Sequence, residues 1–267
     1  MSHVTSEPGP RVLLVVATLG RRPEYLEQTL ASIRDQDVAS DIVIVAPDTP
    51  QIRQTADRWH ASWLPDPESL PEAINVGAGL LAPHHDYINW LNDDDLLEPG
   101  SLHATCQALD SDAGAVLAFG ACRYIDEDGR ELWISRAGKW APRILKWGPD
   151  LIPQPGMLVR ADAWRALGGV DAGFKFAFDL DLLLRLQPLG QFIDVGRVVS
   201  SFRWHATSLT VDDRSTSLQE SEKARRRALG PGARRCAWIW ERPVRAATRA
   251  AAWEVSRRAA RIRQRAT

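Results

Sequence analysis

Cysteine is scarce. The 267 residues hold 3, at Cys106, Cys122 and Cys236, an odd number with no metal-type spacing. That excludes a complete disulfide framework and a thiolate metal knuckle, and it favours a reducing compartment. Long apolar runs are missing as well. The longest early one, Val12 to Leu19, is far shorter than the roughly 20 residues a bilayer requires. Residues 1–10 are polar, without the apolar stretch of a secretory leader, so a disordered N-terminus is expected. The expected location is cytoplasmic, or peripheral at the inner face of the membrane. Internal repeats and low-complexity segments are absent. A Gly-rich phosphate-cradling loop is also absent: Thr18 to Arg22, after the first apolar run, contains one Gly.

An overall excess of charge is lacking too. The net charge is −1, but that figure hides an asymmetry. From Lys223 to Thr267 there are 14 Lys and Arg against Glu241 and Glu254 alone, leaving 19 basic and 32 acidic residues before that point. An acidic body with a basic tail suggests that the tail meets an anionic partner.

What is present is an alternation of apolar strands and amphipathic helices. Val12 to Ala17 and Asp41 to Ala46 are continuous apolar runs, as expected for strands buried on both faces. Between them Leu26, Leu30 and Ile33 recur at helical spacing after Pro23. Residues 51–59 predict a weaker helix, 63–65 a short strand, and Leu70, Ile74, Ala78 and Leu81 another helix. This order implies parallel strands with right-handed crossovers in a three-layer α/β sheet. Further along come a helix through Leu102, Cys106 and Leu109, a strand over 115–119, and a hairpin turning at Asp128-Gly129. Residues 136–156, rich in Trp, Pro and Gly, predict a long ordered loop. Helices over 161–167 and 179–188 and a β segment over 192–202 complete the body. From about residue 217 the chain turns helical and basic, broken at Gly230-Pro231-Gly232 and broken or kinked at Pro243.

The stretch Tyr87-Ile88-Asn89-Trp90-Leu91-Asn92-Asp93-Asp94-Asp95 organises the rest. A short apolar strand runs into three adjacent carboxylates. They repel one another, a cost most readily tolerated around a hard cation such as Mg²⁺, which shares carboxylate oxygens with substrate phosphates. Strand C-termini are where open α/β sheets place ligands. The alternative is a solvated acidic turn leading into the next helix.

Four segments together resemble the family 2 glycosyltransferases, inverting enzymes of the GT-A fold. They are Ala17-Thr18-Leu19-Gly20-Arg21-Arg22-Pro23-Glu24-Tyr25-Leu26; Ala73-Ile74-Asn75-Val76-Gly77 with Trp90-Leu91-Asn92-Asp93-Asp94-Asp95; Gln154-Pro155-Gly156-Met157 through Gly168-Gly169-Val170-Asp171 to Phe178-Asp179-Leu180-Asp181-Leu182; and Phe202-Arg203-Trp204-His205. They span about residues 12–208 in the family's order. The sequence departs from the pattern where strand two ends Val45-Ala46-Pro47-Asp48, at Ile74, and at Phe178. The resemblance implies a GT-A domain over 11–215, an α/β/α sandwich with a mostly parallel sheet, followed by a basic amphipathic helical tail over 216–267. It implies metal-dependent transfer of a sugar from a nucleotide-diphosphate sugar to a hydroxyl of a glycan or lipid-linked glycan, in cell-surface or secreted glycan assembly.

Under that resemblance Asp93 and Asp95 hold Mg²⁺ or Mn²⁺, with His205 as a further ligand or a structural histidine. Thr18, Asp48, Asn75, Asp93 and Asp94 face the donor nucleotide and sugar. Asp179 is the general base, the alternative being a first-turn acid that complements the helix dipole. Asp181 is assigned a structural role, pairing with Arg185 four residues on, although it lies on the acceptor side of the chain with Trp147, Gln154 and Gly156. Arg203 is expected to be solvated or ion-paired. The Arg-rich tail, residues 223–267, either lies on anionic lipid, packs on the domain, or mediates self-association; no motif points to nucleic acid. Two competing functions are sugar-phosphate nucleotidyl transfer, disfavoured by the single Gly of the first loop, and a non-catalytic nucleotide-binding scaffold.

Overall fold

Alternate residues of the first strand, β1 (Arg11–Ala17), enter two different cores. Val12, Leu14 and Val16 meet helices α1 (Pro23–Arg34) and α2 (Pro50–Arg58); Leu13, Val15 and Ala17 face α3 (Leu70–Ala78). β2 (Ala39–Ala46) divides the same way, with Ile42 and Ile44 on one side and Val43 and Val45 on the other. The unbroken apolar runs are therefore the middle layer of a three-layer α/β/α arrangement. The computed structural model describes residues 9–136, 138–204 and 214–246.

One nine-stranded sheet carries the fold. Its parallel half is β3 (Ser62–Pro65), β2, β1 and β4 (Tyr87–Asn92). β1 pairs β2 and β4 in register, so Ala17 lies beside Val45 and Asn92. The carboxyl ends of three strands thus align, and Thr18 and Asp93 emerge side by side. After the acidic turn, β5 (Leu96–Leu97) leads into α4 (Ser101–Asp110). β6 (Ala115–Ile125) is longer than the 115–119 expected, and it pairs antiparallel with β7 (Glu131–Ser135) across the predicted hairpin turn. The 136–156 stretch holds one short helix, α5 (Ala141–Ile144). β8 (Leu158–Arg160), three residues that the sequence does not announce, runs antiparallel between β4 and β6. α6 (Ala161–Leu167) and α7 (Phe178–Leu186) follow, then β9 (Gln191–Arg203), parallel to β6 and antiparallel to β5.

The face of α1 towards the acidic turn is polar by design of its hydrogen bonds. Thr29 donates to Asp95 O at 2.8 Å, the Ser32 hydroxyl accepts from Leu97 N at 3.1 Å, and Gln36 bonds both Glu98 O and Leu102 N. The turn's exit is fixed to the last turns of α1 and, through Gln36, to the residues just past its end.

The described C-terminal part is three helices: α8 (Arg214–Ala228), α9 (Pro231–Arg235) and α10, residues 238–246. The break expected at 230–232 falls at Leu229-Gly230, with Pro231 and Gly232 opening α9, whereas α10 runs on through Pro243. Residues 214–246 pack against the domain: Ala224 is 1% exposed and joins the core cluster that contains the α7 leucines. Two bidentate pairs, Arg226 with Glu241 and Arg245 with Glu222, hold α10 to α8. Trp253 and the remainder of the tail lie outside the described residues.

Candidate functional site

The acidic triplet is divided by its surroundings. The Thr18 hydroxyl donates to Asp93 Oδ2 and accepts from Gly20 N at 2.9 Å. Asp94 pairs with Arg22 at 3.3 Å. Asp95 is fully buried: Asn92 donates to its Oδ2 at 3.0 Å, while Oδ1 has no hydrogen-bond partner among the described residues. Burial, and then the charge of Asp94, raises the Asp95 carboxyl well above its ordinary pKa; burial raises Asp93 in the same direction. A buried carboxylate oxygen without a donor is costly, and a proton or a cation relieves the cost. The donor set, all oxygen, fits a hard divalent cation at Asp95 and Asp93. His205 lies outside the described residues.

Behind the turn stands Arg203; it is not solvated, and it has no ion-pair partner among the described residues, where the sequence suggested one or the other. It is 2% exposed. Its guanidinium donates to Asp94 O at 3.4 Å, Asp126 O at 3.2 Å, Glu127 O at 3.1 Å and Gln28 Oε1 at 2.7 Å, and it lies 4.3 Å from the centre of the Tyr25 ring. A planar, five-donor group is the one side chain that can tie four neutral acceptors at once. The desolvation of its charge is offset by those bonds and the ring face.

A second pair of carboxylates lies beyond. Burial pushes Asp179 up to about 6; burial and the Asp179 charge push Asp150 up to about 7. The bearing of the Asp179 charge on Asp150 places the two acids within electrostatic reach of one another. Asp179 is the second residue of α7, and its own Oδ1 accepts Leu180 N at 2.7 Å. Phe178 beside it packs on Trp90 of β4, with ring centres 6.1 Å apart, which puts the start of α7 over the strand that ends in the acidic turn. Tyr124 joins the two groups: burial raises its hydroxyl, and the charges of both Asp95 and Asp150 add to the effect. The charges of Asp95 and Asp150 thus both bear on Tyr124, and that of Asp179 on Asp150.

The other expected residues fall in different places. Asp48 is exposed and taken up by Arg53, at 2.9 and 3.2 Å, whose guanidinium sits 3.3 Å over the Trp63 ring. Asn75 is a strut: its amide donates to Val170 O at 2.8 Å and accepts from Val170 N at 3.0 Å. Gly169 is required beside it, with φ of +86° and space that would put a Cβ 2.4 Å from Asn75 Oδ1. Gln154 donates to Trp90 O at 2.8 Å, and Gly156 lies so close to β9 that a Cβ would fall 2.4 Å from Val199. These two hold the loop to the sheet. Trp147, 45% exposed, meets the Trp240 ring edge-on at 4.8 Å and so contacts α10. Asp181 is buried and pairs with Arg185 at 2.7 Å, as its spacing predicts, with Arg227 at 3.8 Å.

Asp150, Tyr124 and Arg203 escaped sequence reading as site residues. For Asp150 the signal was a lone acid in a loop of Trp, Pro and Gly. For Tyr124 there was none beyond a strand aromatic.

A different group lies at the opposite, amino edge of the sheet. Ligand atoms of Asp41, His84 and His85 all fall within 4.8 Å of one another, the one such set of three among the described residues. Its chemistry suits hydrogen bonding better than a metal. His85 Nδ1 accepts Ala82 N at 2.9 Å, so the ring proton of neutral His85 sits on Nε2 and is donated to Asp41 Oδ2 at 3.0 Å. Arg11 already holds Asp41 through both oxygens and keeps it at about 2. A metal there would have to displace both partners.

Fold and site together define an α/β protein whose carboxylates gather at the carboxyl edge of a mostly parallel sheet. No protein-family model matches the sequence. The curated protein y4gI of Sinorhizobium fredii (strain NBRC 101917 / NGR234), itself uncharacterized, is 25% identical over 239 residues, 83% of this chain and 25% of its own length. The chain thus spans a quarter of that relative. Among solved structures it is similar to S. aureus TarS 1–349 in complex with UDP-GlcNAc (TM-score 0.62, 13% identity, covering 82% of this chain and 65% of that one). The complex with UDP gives 0.61 at 13% identity over the same shares. TarS itself gives 0.56 at 14%, covering 80% of this chain and 39% of that one. The chain spans less than two thirds of each, and at such identity the likeness shows the fold alone.

Proposed function

We propose that this chain transfers a glycosyl group from a nucleotide-diphosphate sugar to a hydroxyl acceptor, with inversion at the anomeric carbon. The observation that carries the reading is the pairing of two unlike carboxylate sets. One, at 93–95, contains a buried oxygen that lacks a donor among the described residues. The other joins Asp179, on the helix packed over the same strand, with Asp150 of the 145–157 loop, both with raised pKa. The fold shared with a UDP-GlcNAc-bound protein supports it.

Mg²⁺ or Mn²⁺, held by Asp95 and Asp93, would neutralise charge gathering on the departing diphosphate. Thr18 fixes Asp93 for that task, and Arg22 with Asp94 closes the nucleotide side. Asp179 takes the proton of the acceptor hydroxyl as its oxygen attacks the face opposite the diphosphate, which inverts the centre. Its raised pKa makes it a stronger base than an exposed aspartate while leaving it ionised at neutral pH. Burial raises that pKa, and the Leu180 N–H that the carboxylate accepts holds the rise in check. The acceptor class, a glycan or lipid-linked glycan, follows from the family resemblance. No helix among the described residues is long and apolar enough to cross a membrane. We keep the anionic membrane surface as a partner for the tail beyond the packed helices.

A thermal-shift screen of nucleoside diphosphates with Mn²⁺ or Mg²⁺ tests the donor site. Ligand at ~100-fold over Kd stabilises by about 2.7 kcal/mol, or ~5–10 °C for a chain of this size. One nucleotide should give that rise with metal and little with chelator, and Asp95→Asn should remove it. A rise of equal size in Asp95→Asn rejects the assignment.

A further inference from the structure

α7 has no cap of its own. Its N-cap residue is Ala177, which offers no side-chain acceptor, so the backbone N–H groups at its entrance need a partner from elsewhere. Glu220 of α8 supplies it. Its carboxylate accepts Lys175 N at 2.9 Å, Phe176 N at 2.7 Å and Ala177 N at 3.0 Å. Three successive amides on one anion at a helix N-terminus is a strong, directional anchor, favoured also by the helix dipole.

The anchor lies on the docking face of α8. Glu220, Ala224 and Arg227 recur at helical spacing: Ala224 is buried, and Arg227 bonds Asp171 at 2.6 Å and approaches Asp181. From a neighbouring position Arg225 donates to Leu145 O at 3.3 Å, and its charge bears on Asp150. One helix therefore touches the segments that carry both members of the second carboxylate pair.

We propose that Glu220 is a positioning residue for Asp179, fixing the 175–177 backbone so that the start of α7 holds Asp179 in place over β4, and that the packed helices 214–246 are a working part of the transfer site. The consequence for rate rests on the glycosyl-transfer reading; the anchoring is measurable without turnover. Among the described residues its hydrogen bonds go to 175–177 and not to the acidic turn, so donor binding is expected to be independent of it.

The test compares full-length wild type, Glu220→Gln and Glu220→Ala. Amide hydrogen exchange at 175–177 should quicken at least 10-fold in Glu220→Ala, and less in Glu220→Gln, whose Oε1 still accepts. ¹³C-carboxyl titration of Asp179 should move towards the value of an exposed aspartate in the same order. With an active donor and acceptor, kcat should fall at least 10-fold in Glu220→Ala, with partial retention in Glu220→Gln and nucleotide affinity within 2-fold. Unchanged exchange and titration overturn the anchor, and changed exchange with unchanged kcat overturns its role in positioning. If wild type transfers no sugar from any donor, the functional reading fails, while exchange and titration still decide the anchor. If Glu220→Ala does not fold, Glu220→Gln carries the same comparisons.

Discussion

Asp179→Asn is expected to lower glycosyl transfer by ~10²–10⁴, the usual worth of a positioned base, and to leave metal-dependent nucleotide binding intact. Asn keeps the Oδ1 that accepts Leu180 N, so the start of α7 should survive the change. Wild-type transfer should rise with pH through an acid limb centred near 6–7, where Asp179 and Asp150 titrate as a pair. Stability should move the other way. A carboxyl whose folded pKa lies above its unfolded value binds its proton more tightly when folded. Its penalty is absent below about pH 4 and complete above about pH 7. Asp179→Asn should therefore match wild type in Tm at pH 4 and exceed it at pH 8. Transfer near wild-type level in this variant would remove Asp179 from the reaction.

The second large effect concerns the fold of the turn. Arg203→Lys keeps the charge but replaces a planar fork by one ammonium, which cannot reach Asp94 O, Asp126 O, Glu127 O and Gln28 Oε1 together. At least two buried acceptors lose their donor, and each costs ~1–3 kcal/mol. Tm should fall by about 10 °C at ~2–4 °C per kcal/mol. Nucleotide binding should weaken with it, because Asp94 O is one of the tied groups. A loss under 2 °C would show that the lysine finds equivalent partners.

The burial of Arg203 leaves no mark in the sequence. Sequence reports a residue type at the end of a strand, not which way a six-atom side chain runs, and exposed arginine is the commoner outcome. β1 and β2 were legible for the opposite reason: strands packed on both faces must be apolar at every position. The acidic turn was legible because three adjacent carboxylates are expensive without a purpose. β8 was hidden because three residues carry no periodicity. The tail was read from its arginine count, which concealed that Glu220 and Glu222 make the contacts that fix it; an acceptor for three backbone N–H groups leaves no pattern in side-chain types. The pairing of Asp181 with Arg185 needed only the spacing of a helix.

The central claim is that a cation and a diphosphate meet at Asp95, near Asp179, at the carboxyl edge of the sheet. The direct measurement is paramagnetic broadening by Mn²⁺ with a nucleoside diphosphate, read at ¹³C-labelled aspartate carboxyls. The account predicts selective loss of the Asp93 and Asp95 signals, clear broadening at Asp179 and Asp150, and a sharp signal from Asp41. Broadening centred on Asp41 with the Asp95 and Asp179 signals intact would contradict it and place the cation at the wrong end of the sheet.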